Sequence, residues 1–406
     1  MKLSTRITSL LLLLCLLLPS LLHAQHTRNS SPVRVGADQI VRIKELCKDK
    51  KVGIATNATA ILSDGSRPHL IDTLLTRKVN VRNLYSPEHG LTGKADAGEA
   101  LDSQVDPKSK LPVISLYGSH LKPTAEDLSG IDIMLFDMQD VGCRFYTYIS
   151  TLCYLLEACA DQGIPVVILD RPNPHDYIDG PLLKDKKFRS FVGMLPIPVL
   201  HGLTLGEAAL MMKGEGWLNT DKEVNITVVP LIGWKHGDPY SLPVAPSPNL
   251  KSDKSILYYP TLCYLEGTSW SVGRGTDTPF EVAGYPHPSL GPVSFTPRSV
   301  EGAKNPPLLR KKCYGPYLDP YFTQPGIRTH LLIDLYKSST AAGVKFITRP
   351  QFFDKLAGTD QLRRDIESGK SAAEIEASWA KDLRDYAHKR SQYLLYPDER
   401  TFYWQE

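Results

Sequence analysis

Two apolar rhythms run along the first half of the chain. One is a series of short runs that are apolar on both faces: Val52 to Thr56, Val79 to Tyr85, Val113 to Leu116, Ile131 to Asp137 ("IDIMLFD") and Pro165 to Asp170 ("PVVILD"). Such runs predict strands buried on both sides of a sheet. The other rhythm recurs every three or four residues and predicts helices. One is expected over 69–77 and a longer one within "YTYISTLCYLLEACADQG", where Tyr148, Ile149, Leu152, Leu155, Leu156 and Cys159 share a face and Gly163 supplies the stop. A helix over 204–213 and a strand from Val224 to Pro230 follow. Strands of this kind separated by helices imply an α/β domain, Rossmann-like, with a mostly parallel sheet covered on both faces.

The stretch 235–250 ("HGDPYSLPVAPSPN" and its flanks) is rich in Pro, Gly and Ser, and the pattern changes beyond it to short elements and many prolines. We therefore expect a Rossmann-like domain over 33–240 and a smaller α+β domain over 246–406 that completes a cleft. The second domain ends in a long amphipathic helix from Ser371 to about Tyr393, with Ile375, Trp379, Leu383 and Tyr386 as its buried stripe. Residues 1–24 combine a charged start, a leucine-rich core and a small residue before Gln25, the pattern of a secretory signal peptide. Export across the inner membrane to the periplasm is the expected localisation. No later run approaches the ~18 apolar residues a spanning helix needs, so no stable membrane insertion is expected.

Composition narrows the function classes. A net charge of +3 over 406 residues, with no basic cluster carrying interleaved aromatics, argues against nucleic acid as a partner. Six cysteines follow the leader: Cys47, Cys143, Cys153, Cys159, Cys263 and Cys313. None form CxxC pairs or alternate with His at metal spacing, so neither a metal nor a cofactor is expected, though an oxidising compartment leaves room for one disulfide. No glycine-rich dinucleotide fingerprint follows any strand.

What recurs instead is polar residues at strand ends. "YSPEHG" places Glu88 and His89 between a stiffening proline and a glycine after the second strand. "FDMQDVGCRFYTY" sets Asp137, Gln139, Asp140, Arg144, Tyr146 and Tyr148 between a strand and a helix, and "DRPNP" brings Arg171 and Asn173. In open α/β sheets the crevice at the carboxyl ends of the strands binds ligands, so these loops, with Asn57 after the first strand, are expected to converge. Carboxylates with arginines and tyrosines suit a sugar or acidic-sugar ligand, arginine gripping a carboxylate with two prongs. In the second half, "EGTSWSVGRGTDTPFE" adds Glu266 and Arg274, the latter in a glycine turn able to reach across a cleft. Glu207 and Glu374 are discounted because each sits three residues after a Thr or Ser in a capping box. His201 reads as a packed loop histidine.

"SPEHG", "DMQDVGCRFYTY", "DRPNP" followed by Gly180-Pro181, "HGLTLGE", "SPNL" and "EGTSWSVGRGTDTPFE", in this order, resemble the NamZ-type exo-β-N-acetylmuramidase family from about Val33 to Tyr396. The resemblance implies a Rossmann-like domain joined to a smaller one, a cleft between them, and hydrolysis of terminal non-reducing N-acetylmuramic acid from peptidoglycan fragments. It also implies that Glu88 is the catalytic glutamate. Glycoside hydrolysis usually needs an acid at the leaving oxygen and a second carboxylate. Glu88 is expected as the acid, made so by desolvation in a closed cleft, and Asp140 ahead of Asp137 as the second. A substrate-assisted route through the acetamido group stays open. Substrate-binding residues are expected at Asn57, His89, Arg144, Tyr146, Arg171, Asn173, Glu266 and Arg274, with Arg144, Arg171 or Arg274 reading the lactyl carboxylate. Two competing readings are a non-catalytic peptidoglycan-fragment binding protein and a metal-dependent hydrolase built on His89, Asp140 and His201. The second lacks any HxH or HExxH spacing.

Overall fold

The computed structural model describes residues 33–401 apart from 97 and 100–103. The expected signal peptide, 1–24, lies outside the described residues. The apolar runs become strands β1 (Val52–Thr56), β2 (Val81–Ser86), β4 (Pro112–Ser115), β5 (Ile133–Asp137), β6 (Val166–Leu169) and β9 (Ile226–Val229), with the two-residue β3 (Gln104–Val105) added at one edge. They form one sheet in the order β3-β4-β2-β1-β5-β6-β9. All pairs are parallel except β3 with β4. Counting only the parallel strands in chain order gives 3-2-1-4-5-6, the doubly wound arrangement whose direction reverses between β1 and β5.

Helices α1 (Ile40–Leu46), α2 (Leu70–Thr76), α3 (Tyr148–Asp161) and α4 (Leu205–Gly214) accompany this sheet. The expected capping box opens α4, with the Thr204 hydroxyl accepting from the Glu207 N–H and Glu207 accepting from the Thr204 N–H. The two-residue ladder of β7 (Ile178–Asp179) and β8 (Leu200–His201) lies outside the main sheet. His201 is fully buried and burial lowers it to about 3, as suits a packed histidine.

After 235–250, which contains no helix or ladder strand, come α5 (Asp253–Leu262), the small antiparallel pair β10 (Val293–Phe295) and β11 (Cys313–Gly315), then α6 (Thr329–Ala341), α7 (Pro350–Ala357), α8 (Gln361–Glu367) and α9 (Ala372–Arg390). Ile375, Trp379, Leu383 and Tyr386 are the buried stripe of α9, as its periodicity predicts. One apolar cluster runs from Ala55 in β1 to Tyr386 in α9, so both halves share a core. All six cysteines are buried free thiols, and the one disulfide that composition allowed does not form. Burial pushes Cys47 up to about 11 and Cys159 to about 12.

The C-terminal tail returns to the first half and answers buried charges there. Tyr386 donates to the His201 carbonyl (2.7 Å) and Arg390 Nε to the Gly202 carbonyl (2.7 Å). Tyr396 donates to Asp170 Oδ2 (2.7 Å), which also accepts from Thr204 Oγ1, while Asp170 Oδ1 accepts the Gly206 N–H. His236 lies between Asp176 (2.8 Å) and Glu207 (2.9 Å), and Arg400 pairs with Asp176 and Asp398.

Burial alone would lower His236, but its hydrogen bonds to Asp176 and Glu207 and their charges raise it from 6.5 to about 9. A raised histidine stabilises the fold fully below its unfolded value and loses that contribution as pH rises through its folded value. The thermal midpoint is therefore expected to fall between pH 6.5 and 9 in the native protein. His236→Gln should lack that fall and be less stable by about 3–5 kcal/mol, because it leaves the buried Glu207 without its cation while Asp176 keeps Arg400; melting curves across this range check both.

Candidate active site

A cavity of about 850 Å³ opens beside the carboxyl ends of β2 and β4, near the top of the ~300–1,000 Å³ range of small-molecule sites. Its floor comes from the first half and its far wall from the second. Glu88 reaches it from the turn after β2, where the Gly90 N–H donates to the Pro87 carbonyl (3.0 Å) and both His89 (φ 69°) and Gly90 (φ 72°) are left-handed. A histidine in that region is strained. Its side chain holds it there, with Nδ1–H donating to the Ala95 carbonyl at 2.8 Å. Burial lowers the His89 imidazole, more than the Glu88 charge raises it, so the ring is neutral with Nε2 as an acceptor.

Both Glu88 oxygens accept hydrogen bonds from neutral groups: Oε2 from the Thr147 hydroxyl (2.8 Å) and Oε1 from the Gly98 N–H (3.1 Å). Thr147 occupies the position before α3 without capping it, so its hydroxyl is spent on Glu88 and the glutamate sits at the positive end of a 14-residue helix. Tyr117, in the loop after β4, is a third neighbour. Burial, then the Glu88 charge and a hydrogen bond to Glu88, push its phenol upward.

The far wall carries Glu266, in the 3-10 turn Cys263–Gly267, and Arg274. Arg274 Nε donates to Glu266 Oε1 at 2.6 Å and the guanidinium lies 5.0 Å from the centre of the Phe280 ring. Arg349, which stacks on Phe352 and donates to the Glu266 carbonyl, and Lys304 are further cations of the wall.

Glu88, His89, Tyr146, Glu266 and Arg274 are thus brought together among the residues expected from the sequence. The others are not, and each has a physical reason. Arg144 is buried and donates to the carbonyls of Pro181 (2.8 Å), Ile197 (2.6 Å) and Leu356 (2.9 Å). Arg171 is locked in a two-pronged pair with Asp137 (2.6 and 3.0 Å), their side chains 3% and 0% exposed. Asp140 is not among the residues that line the cavity; it accepts the Gly142 N–H at 2.7 Å and is raised by burial to about 7. Asn173 donates to the Leu203 carbonyl and packs where any side chain on Gly142 would collide with it, a Cβ there lying 1.9 Å from Oδ1. Asn57 donates to the Tyr148 hydroxyl (2.7 Å), which in turn donates to the Pro246 carbonyl, as Tyr146 does. Arg144, Arg171, Asp140, Asn173 and Asn57 are thus bonded to other parts of the protein and do not line the cavity. Among the described residues no group of three His, Cys, Asp or Glu side chains is placed to hold a metal ion.

Tyr117, Thr147, Arg349, Lys304 and the carboxylates Asp96 and Glu99 line the cavity without having been singled out by sequence. Only Thr147 lay inside a stretch already marked, next to Tyr146 and Tyr148.

One cleft thus joins the Glu88 carboxylate of the first half to the Glu266–Arg274 pair, Lys304 and Arg349 of the second. Residues 52–254 match the N-terminal and 257–396 the C-terminal family model of exo-beta-N-acetylmuramidase NamZ. The chain is 36% identical over 398 residues to peptidoglycan beta-N-acetylmuramidase NamZ of Bacillus subtilis (strain 168), covering 91% of this chain and 93% of that protein. Two crystal structures of DUF1343 family proteins from Bacteroides fragilis NCTC 9343 share the fold. One superposes with TM-score 0.82 at 42% identity over 91% of this chain and 100% of that one, the other with TM-score 0.75 at 27% identity over 90% and 99%. The chain belongs to the NamZ exo-β-N-acetylmuramidase family.

Arg144 answers three buried carbonyls, each of which would cost about 1–3 kcal/mol unpaired. Arg144→Met should therefore lower the unfolding free energy by about 3 kcal/mol or more, whereas Arg274→Ala, on the solvent-reached wall, should change it far less; urea titrations of the two variants compare them.

Proposed function

We propose that the protein is an exo-acting glycoside hydrolase that releases terminal non-reducing N-acetylmuramic acid from peptidoglycan fragments such as the disaccharide with N-acetylglucosamine. The observation that carries this reading is the meeting of Glu88 and Arg274 in one cavity of disaccharide size. Glu88 is the general acid. Substrate entering the cavity brings its glycosidic oxygen to this carboxyl, which gives that oxygen a proton as the bond to the anomeric carbon breaks. Thr147 and Gly98 hold the carboxyl in place and Tyr117 braces it from the side.

Arg274 binds the lactyl carboxylate that distinguishes muramic acid from glucosamine. Glu266 takes only its Nε–H, leaving the outer guanidinium nitrogens to grip a carboxylate. Tyr146, fixed through its hydroxyl, presents ring surface to the sugar. The protein acts after export, in the periplasm, where such fragments arise; the leader-like 1–24 segment supports this.

Purified protein incubated with the muramyl-glucosamine disaccharide should release free N-acetylmuramic acid. Glu88→Gln should lower that turnover by about 10²–10⁴-fold, the usual worth of general acid catalysis, with an unchanged circular dichroism spectrum; a pure binding protein would show no turnover to lose.

Arg274→Ala should erode the preference for muramic over glucosamine substrates by the ~1.5–3 kcal/mol of a hydrogen bond to a charged group. Competition between the two glycosides measures it, and an unchanged ratio would remove Arg274 from this role.

A further inference from the structure

Four carboxylates line the cavity: Glu88, Asp96, Glu99 and Glu266. Asp96 accepts the Lys304 N–H at 2.6 Å and Glu99 the Lys304 ammonium at 2.8 Å, so both tie together the loops that face each other there. Glu88 is held through both oxygens. Glu266 is placed differently. Its Oε1 accepts the Arg274 Nε–H at 2.6 Å, whereas the partner of its Oε2 among the described residues is the Cys263 thiol, a weak donor, at 4.0 Å. A carboxylate has about four sites for donors. The Glu266 side chain lines the cavity with 22% of its surface accessible, so that spare capacity is open to a ligand.

The carboxylate is also held still. The turn that carries it is braced by the Thr268 hydroxyl, which donates to the Leu265 carbonyl (2.7 Å), and by Arg349, whose N–H donates to the Gly267 carbonyl (2.9 Å) and whose guanidinium donates to that of Glu266. Arg274 is fixed beside it against the Phe280 ring. A fixed anion next to a fixed cation can read two neighbouring groups of one ligand. On a pyranose ring C1 and C4 lie opposite each other, and the lactyl ether of muramic acid is on O3, next to O4. With C1 at Glu88 on the floor and the lactyl carboxylate at Arg274 on the far wall, the C4 hydroxyl falls beside Arg274's partner, Glu266. The other neighbour of O3, the acetamido group on C2, lies back towards C1 and Glu88. The two ends of the site are near each other: the charges of Glu266 and Glu88 both raise the Cys263 thiol, and that of Arg274 acts on His89 and Tyr117, the neighbours of Glu88.

We propose that Glu266 accepts a hydrogen bond from the free 4-hydroxyl of the terminal muramic acid and is the residue by which the site recognises a chain end. In an internal muramic acid O4 carries the next sugar. It then has no hydrogen to donate, and its ether oxygen would face the lone pairs of the carboxylate. This inference rests on the glycosidase reading, with Arg274 at the lactyl group, and names what makes that site exo-acting.

The test is calorimetric binding of free N-acetylmuramic acid and of its 4-deoxy analogue, with release of muramic acid from the disaccharide followed in parallel. The wild-type protein should bind the 4-hydroxy compound about 10–10²-fold more tightly, the worth of a hydrogen bond to a charged group, and in Glu266→Ala the ratio should fall to within about threefold of one. A merely structural role for Glu266 would weaken both compounds alike and leave the ratio where it was. Equal binding by the wild-type protein, or an unchanged ratio in the variant, would overturn the proposal. Should Glu266→Ala fail to fold, Glu266→Gln, which keeps the shape without the charge, takes its place: its ratio should fall several-fold, and an unchanged ratio again counts against the role. Discrimination through Glu266 without release from the disaccharide sinks the hydrolase reading alone. Release without discrimination sinks the role of Glu266 alone, and no binding of either compound sinks both.

Discussion

The site depends on where one guanidinium spends its N–H groups. Arg144 sits in the loop between β5 and α3, buried, and serves the carbonyls of Pro181 and Ile197 in the first half and of Leu356 at the end of α7 in the second. Burial lowers it to about 10, and it stays charged across the working pH range. The chain makes room for it with a glycine: Gly358 is left-handed (φ 70°), and a Cβ there would lie 2.7 Å from an Arg144 nitrogen. With Arg144 pinned between halves, the next residues have little freedom. Tyr146 and Tyr148 both reach the Pro246 carbonyl, and Thr147 between them is aimed at Glu88.

The crevice where ligands usually enter such sheets is closed here. Between β1 and β5 stand the Asp137–Arg171 pair and the chain of bonds from Tyr148 through Asn57 and Thr59 to the Gln139 N–H. Buried charges cost free energy unless paired, and pairing them with each other leaves none for a ligand. The cavity is displaced towards β2, beyond the reach of the sheet's own loops on one side. The second half supplies that side, which is why Glu88 and Arg274, 186 positions apart in the numbering, face one space.

The sheet was legible because strands covered on both faces leave continuous apolar runs, and the helices over 148–161 and 372–390 because their stripes are long. The second half was harder. Pro350 reads as a breaker in sequence but stands in the first turn of α7, where its missing N–H costs nothing, and Pro260 lies inside α5. For the site, the strand-end loops were correctly located, but their polar residues could not be sorted. Arg171 and Asp137 are separated by 34 residues and Arg144 and the Leu356 carbonyl by 212, so nothing local marks them as already paired. Tyr117, Asp96 and Lys304 were invisible for the same reason: each matters through a partner across the cleft or in a neighbouring loop.

The tail that folds back from α9 also sets an order of events in making the protein. Tyr396, Asp398 and Arg400 complete bonds to Asp170, Asp176 and Arg390, and Glu207 accepts the Leu395 N–H. A chain emerging from the ribosome carries β6 and α4 for some two hundred residues before these partners exist. Until then the charges beneath α4 have no full complement and are better left hydrated than buried. The ground beneath α4 is thus complete only once residues from the far end of the chain have arrived.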